Sequence, residues 1–238
     1  LATGHHARIV WNDFSEKYML LKGVDENKDQ SYFLFTLKQN EMRHILFPIG
    51  DFEKTDVRRI AKNQGLKTAE KKESQEICFI RDNDYRGFIS NRVSMKGCKG
   101  GDIVNRDGDV LGKHDGIHMY TIGQRKGIGI PAPHPYYVLG CDSERNTVIV
   151  GTKEDLLCNG LIAEDLNWIV FQSLESEMTV TCKIRYRYTP AEATLIPQDN
   201  EDVQVTFSEP QRAVTPGQAV VFYDGDVVIG GGWIKESI

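Results

Sequence analysis

The sequence predicts an α/β segment followed by a β-rich central domain and a C-terminal β-barrel. Three observations predict it. Residues 1–66 carry apolar side chains at helical spacing between capping signals. Near residue 95 glycine becomes frequent and the apolar runs shorten. From about residue 158 short alternating runs are separated by turn residues throughout. The corresponding boundaries are 1–92, 93–157 and 158–238.

In the first segment Asp29 is placed to cap a helix carrying Tyr32, Phe33, Leu34 and Phe35. Met42, Ile45 and Leu46 mark a second helix ending before Pro48. A third has Thr55 as N-cap, Val57, Ile60 and Ala61 on its apolar face, and Gly65 at C′. Tyr85, Phe88 and Ile89 predict one more after Asp82 or Asn83. In the central segment Asn105–Asp109 reads as a hairpin with a type I′ turn at Asp107-Gly108, and Gly123–Gly127 as a basic, flexible loop. Tyr136–Leu139 and Thr147–Val150 are strands around a polar turn. The barrel strands are Thr179–Arg187, Glu192–Ile196, Asp202–Phe207, Gln218–Tyr223 and Val227–Gly230, the last two joined at Asp224-Gly225. Gly127-Ile-Gly-Ile and Gly230–Gly232 read as flexible turns rather than nucleotide-binding loops. No internal repeat is visible.

At 238 residues the chain can bury two cores. Its formal net charge of −5 argues against a generally basic nucleic-acid binder. The charge is uneven: residues 86–126 hold eight Lys/Arg against four Asp, a local +4 that leaves −9 elsewhere. RNA binding must therefore be local. Five cysteines without a Cys-x-x-Cys pair disfavour a disulfide framework or zinc cage and point to a reducing, cytoplasmic setting. Adjacent His5 and His6 lack the spacing of metal ligands. No apolar run of about 18 residues predicts a membrane span.

Three segments carry chemistry. Ala2-Thr-Gly-His-His-Ala-Arg-Ile9 places Gly4 at a turn where backbone can approach a ligand closely. Asn27-Lys-Asp-Gln-Ser-Tyr-Phe-Leu34 reads locally as a helix start. Lys71-Lys-Glu-Ser-Gln-Glu-Ile-Cys-Phe-Ile80 holds Cys78 between Ile77 and Phe79, as in a core strand, yet with Lys71, Lys72 and Arg81 nearby in sequence. An unperturbed thiol is only about 3% thiolate at neutral pH, and neighbouring cations raise that fraction. In Thr179–Arg187, alternation sets Lys183, Arg185 and Arg187 on one face, a row suited to a phosphate backbone or to solvent, and turns Tyr186 inward.

In this order the three segments resemble the tRNA-specific 2-thiouridylases of the MnmA/TrmU type. The resemblance spans the whole given sequence and the later two-thirds of the family's length. It implies that residues 1–92 are the end of a PP-loop ATP-pyrophosphatase-like nucleotide-binding domain, and that the barrel resembles those of elongation factors. The chain is accordingly read as starting inside a domain. The Ser-Gly-Gly-x-Asp-Ser loop and an upstream catalytic cysteine are not among these residues, so the 238 residues alone are expected to be inactive.

The implied reaction is ATP-dependent 2-thiolation of the wobble uridine, with ATP accompanied by Mg2+. Cys78 carries the persulfide and later forms a disulfide with the upstream cysteine. Ser74, Ile77, Cys78, Phe79 and Ile80 fit the family segment, whereas Gln75-Glu76 stand where some members have Thr-Gly. Gly4 is implied to contact ATP. His5, Lys28, Asp29, Gln30, Arg185, Tyr186 and Gln218 are implied to contact tRNA. A sulfur-relay protein or cysteine desulfurase would charge Cys78, and no membrane is involved. The alternatives are a non-catalytic tRNA- or ribosome-binding fragment and an ATP-pyrophosphatase relative with another substrate.

Overall fold

The structure is a computed structural model that describes residues 1–70, 87 and 99–238. Cys78, its flanking Lys71, Lys72 and Arg81, and most of the helix predicted after Asp82 or Asn83 lie outside these residues.

The described chain forms two compact units. The first joins residues 1–71 to 159–210 and 215–238. Its centre is a barrel of six strands: β7 (Leu157–Trp168), β8 (Met178–Lys183), β9 (Ala191–Pro197), β10 (Val203–Arg212), β11 (Ala219–Asp224) and β12 (Val227–Ser237). The order is β12-β11-β8-β9-β10-β7, and β12 pairs back onto β7 to close the ring. Closure removes the free edges that an open sheet would leave unpaired.

A hairpin of β1 (Ala7–Asn12) and β2 (Lys17–Lys22) extends this sheet from β12, with Leu21 opposite Val227. It is clasped to the β11–β12 turn. Arg8 pairs with Asp226 at 3.0 Å, and Lys22 donates to the Gly225 carbonyl at 2.7 Å. The segment after the hairpin lies over the sheet, giving a cluster of Ala7, Leu20, Tyr32, Phe35, Met42 and Phe47 with Val221, Tyr223 and Val228. This explains the sequence of β11. Val220 and Phe222 face one side, Val221 and Tyr223 the other, and all four are fully buried. A strand covered on both faces reads as a continuous apolar run rather than an alternation.

Several helical expectations shrink. Residues 31–33 form one 3-10 turn, not an α-helix, with Gln30 preceding it. The second helix, α1, covers only Gln39–Met42, leaving Ile45 and Leu46 outside it. The third, α2, spans Lys54–Asn63 with Glu53, not Thr55, at the N-cap, while Gly65 takes the positive φ of 67° expected after its end. Gly230–Gly232 are not a turn. They lie inside β12, where close neighbours leave no room for side chains: a Cβ on Gly231 would sit 2.7 Å from Phe35 and from the Val220 carbonyl.

The second unit holds residues 72–158 and 211–214. Its four-stranded sheet has the order β4-β3-β6-β5, formed by β3 (Gly101–Val104), β4 (Val110–His114), β5 (Tyr137–Asp142) and β6 (Thr147–Gly151). Ile103, Ile128, Val138, Val148 and Val150 form its core. The β3–β4 loop differs from expectation. Only Gly108 of the pair Asp107-Gly108 has positive φ, and the Gly108 N–H donates to the Asn105 carbonyl. This is a type I turn followed by a left-handed glycine, a geometry that also suits a hairpin.

Candidate nucleic-acid interface on the barrel

The site begins with one buried carboxylate. Asp29 accepts hydrogen bonds from the Gly23 N–H (3.1 Å), the Ser31 N–H (3.0 Å) and the Ser31 hydroxyl (2.9 Å), and Lys183 Nζ stands 3.7 Å away. Asp29 thereby fixes the 31–33 turn against β8. Gln30 is similarly engaged: its Oε1 accepts from the His6 N–H, and its own N–H donates to the His6 carbonyl. These bonds make Asp29 and Gln30 supports for the loop, with Lys28 half-buried beside them.

The turn they hold projects two aromatic rings. The Tyr32 hydroxyl donates to the Ala219 carbonyl at 2.9 Å. Burial pushes this phenol up to about 12, against a smaller opposing effect of Arg185. The Tyr186 ring lies 4.5 Å from Phe33 at 41° and 6.3 Å from Tyr32. Phe35 meets Trp233 edge-on at 5.8 Å, and Asn167 donates to the Phe35 and Leu37 carbonyls. Between these rings is a cavity of about 530 Å3, lined by Tyr32, Phe33, Phe35, Thr36, Arg185, Tyr186, Gln218, Ala219 and Trp233.

Three residues implied as RNA contacts, Arg185, Tyr186 and Gln218, thus line one cavity. The route to them corrects the strand argument. β8 ends at Lys183, and residues 184–188 turn, so Lys183, Arg185 and Arg187 do not share one strand face. Lys183 is instead paired with Asp29, Arg187 is exposed, and Arg185 lies 5.5 Å from the Tyr188 ring. The turn also brings Tyr186 to the cavity instead of the barrel interior. The side-chain oxygen of Gln218 is buried without a hydrogen-bond partner among the described residues, an acceptor that a bound donor would satisfy.

Gly4 and His5 are not part of this lining. Gly4 is exposed, and a Cβ there would meet only Ile49, at 3.8 Å. His5 Nδ1 is 2.7 Å from the Thr3 hydroxyl, and its ring is edge-on to Phe47. Phe33, Phe35 and Trp233 were missed as site residues by the sequence reading. The run Tyr32-Phe-Leu-Phe35 carried the signal but reads equally as a core helix.

Of the described cysteines, Cys182 is buried in the barrel and its thiol is pushed up to about 12 by desolvation. Desolvation also raises Cys141. Neither environment activates a nucleophile. No helix among the described residues is long and apolar enough to cross a membrane.

Three family models cover the chain. A tRNA methyl transferase HUP domain matches residues 1–82, a tRNA methyl transferase PRC-barrel domain residues 86–152, and an aminomethyltransferase beta-barrel domain residues 158–234. The tRNA-specific 2-thiouridylase MnmA of Geotalea uraniireducens is 51% identical over 238 residues, covering 100% of this chain and 63% of its own length. That of Geobacter metallireducens is also 51% identical, with 64% of its length covered. MnmA 2 of Syntrophus aciditrophicus is 47% identical over 257 residues, with 75% of its length covered. The chain thus spans just under two thirds of the first two relatives. Matched from end to end by such relatives, it belongs to the MnmA family of tRNA-specific 2-thiouridylases.

Proposed function

We propose that the whole protein thiolates the wobble uridine of tRNA at its 2-position, in the cytoplasm, using ATP and sulfur carried on Cys78. The observation that carries this reading is the barrel cavity, where Arg185, Tyr186 and Gln218 meet four further aromatic rings. Stacking rings with a guanidinium suit unpaired nucleotides, because every base offers a π-face and every linkage a negative charge. Lys28 adds a cation from the loop that Asp29 and Gln30 support, and His5 lies on the same unit. Gly4 fits an ATP-contacting role in one respect: its open backbone admits close approach of a ligand.

The chemistry assigned to Cys78 follows from the substrate. A uridine carbonyl oxygen leaves poorly. Transfer of AMP from ATP to that oxygen releases pyrophosphate and creates a leaving group. The terminal sulfur of a Cys78 persulfide then bonds to C2, and AMP departs with the oxygen. A second thiol, on the upstream cysteine, attacks Cys78 to release the transferred sulfur, leaving a disulfide. A dithiol reductant must first open this disulfide to two thiols, after which a sulfur-relay protein or cysteine desulfurase transfers its outer persulfide sulfur to the Cys78 thiolate. A polypeptide of these 238 residues alone is proposed to be inactive, since it contains no PP-loop to hold the triphosphate.

The test is sulfur incorporation into unmodified tRNA by the full-length protein with ATP and a persulfide source. Cys78→Ser is expected to lower turnover by orders of magnitude with the fold intact, and serine at Cys182 to affect stability instead. A Cys78→Ser protein with most of its turnover would overturn the assignment.

A further inference from the structure

The loop between β4 and β5 has features that the barrel site does not explain. Gly123, Gly127 and Gly129 have φ of 85°, 78° and 79°, while the residues between them do not have positive φ. Across Gly127-Ile128-Gly129 an ordinary residue stands between two left-handed ones, an alternation found in the backbone nests that bind anions. The N–H groups are available. Gly123 and Gln124 donate to Val138 and Thr121, but from Arg125 to Ile130 no backbone N–H is bonded among the described residues.

The start of the loop is braced by hydrogen bonds around Gln124. Gln124 Oε1 accepts from the Thr121 N–H, Gln124 Nε2 donates to the Lys126 carbonyl, and the Val138 N–H closes onto the Gln124 carbonyl. Ile128 is buried in the core of this unit and anchors the far side.

Its charge has no acidic partner among the described residues. In the same unit Arg106 pairs with Asp155, Lys113 with Asp102 and Arg145 with Asp142. Arg125 and Lys126 are exposed and have no ion-pair partner among the described residues. Two cations beside a run of free N–H donors, in a chain of net charge −5, make a local anion site.

We propose that the loop 123–129 binds phosphate groups of the RNA backbone, as a grip separate from the barrel cavity. This rests on the reading that tRNA is the partner, but not on the chemistry at Cys78. Phosphate contacts of this type position the nucleic acid without reading its sequence. Loss of each should reduce the slope of log affinity against log salt by about 0.7–0.9.

The experiment measures tRNA affinity of the full-length protein at several salt concentrations. The double variant Arg125→Ala/Lys126→Ala is compared with Lys153→Ala, an exposed cation elsewhere in the same unit. Circular dichroism checks the fold. The double variant is expected to bind about tenfold more weakly near 0.1 M salt, with a slope smaller by about 1–2. Lys153→Ala should change neither. Amide protons of Gly127 and Gly129 should shift downfield on addition of a short RNA. An unchanged slope, an equal effect of Lys153→Ala, or silent amides would overturn the proposal. Weakened ATP or pyrophosphate binding with tRNA affinity intact would also overturn it, by assigning the loop to free phosphates. Thiolation by Cys78→Ser tests the other reading independently of all these outcomes.

Discussion

Residue identity matters most where backbone and side chain approach closely. Gly231 faces the Phe35 ring, which forms a wall of the barrel cavity, and a Cβ there would also press on the Val220 carbonyl. The carbonyl belongs to a buried strand and has no flexible end that can move aside. Gly231→Ala is therefore expected to destabilise by about 1–3 kcal/mol and to displace Phe35, weakening tRNA binding. Urea unfolding and tRNA titration of the same variant check both. A stable variant with unchanged affinity would show that β12 repacks. This position was not legible in the sequence, because three consecutive glycines signal a turn as readily as a crowded strand. Arg185 and Tyr186 were legible only through the family resemblance; alternation alone gave Tyr186 the wrong side, since it assumed that β8 ran past Lys183.

At the scale of elements, the turn carrying Tyr32 and Phe33 depends on Asp29 more than on its own helical preference. A three-residue 3-10 turn supplies little stability by itself. Asp29 holds it through Ser31 and ties it to β8 through Lys183, whose side chain is 13% exposed. Asp29→Ala is expected to destabilise by about 3–5 kcal/mol because it strands a largely buried ammonium. Asp29→Ala combined with Lys183→Met should recover part of this loss, while the loop remains disordered enough to weaken tRNA binding. No recovery of stability would assign the main role of Asp29 to the Gly23 and Ser31 bonds. The strands β8 to β11 were legible as elements because their apolar runs are bounded by turn residues. The β1–β2 hairpin and the long β7 were not. β1 reads Ala-Arg-Ile-Val-Trp-Asn and among the described residues pairs only with β2, whereas β7 mixes Gly, Asn and Glu with apolar residues and owes its strand state to pairing with the distant β12 and β10.

At the scale of the whole molecule, the first unit combines segments from both ends of the chain around one set of buried acids that rarely lose their protons. Burial raises Tyr32 from 10.0 to about 12, raises the Cys182 thiol from 9.0 to about 12, and raises Tyr223 further still. In each case the folded state keeps a proton that the unfolded chain releases at lower pH. The resulting stability is fully present below the unfolded values of 9.0 and 10.0 and is lost as pH rises toward the folded values. The thermal midpoint of the full-length protein, followed by circular dichroism in the strand region, should therefore be flat near neutrality and fall progressively above about pH 9. Cys182→Val keeps the side-chain volume close to that of the thiol and removes its titration, so the onset of the fall should move toward the tyrosine range near 10. Tyr32→Phe should reduce the loss at still higher pH, with a penalty at neutrality from leaving the Ala219 carbonyl without the phenol's hydrogen bond. A midpoint that stays constant to pH 11, or an onset unmoved by Cys182→Val, would mean that these buried groups do not set the alkaline limit.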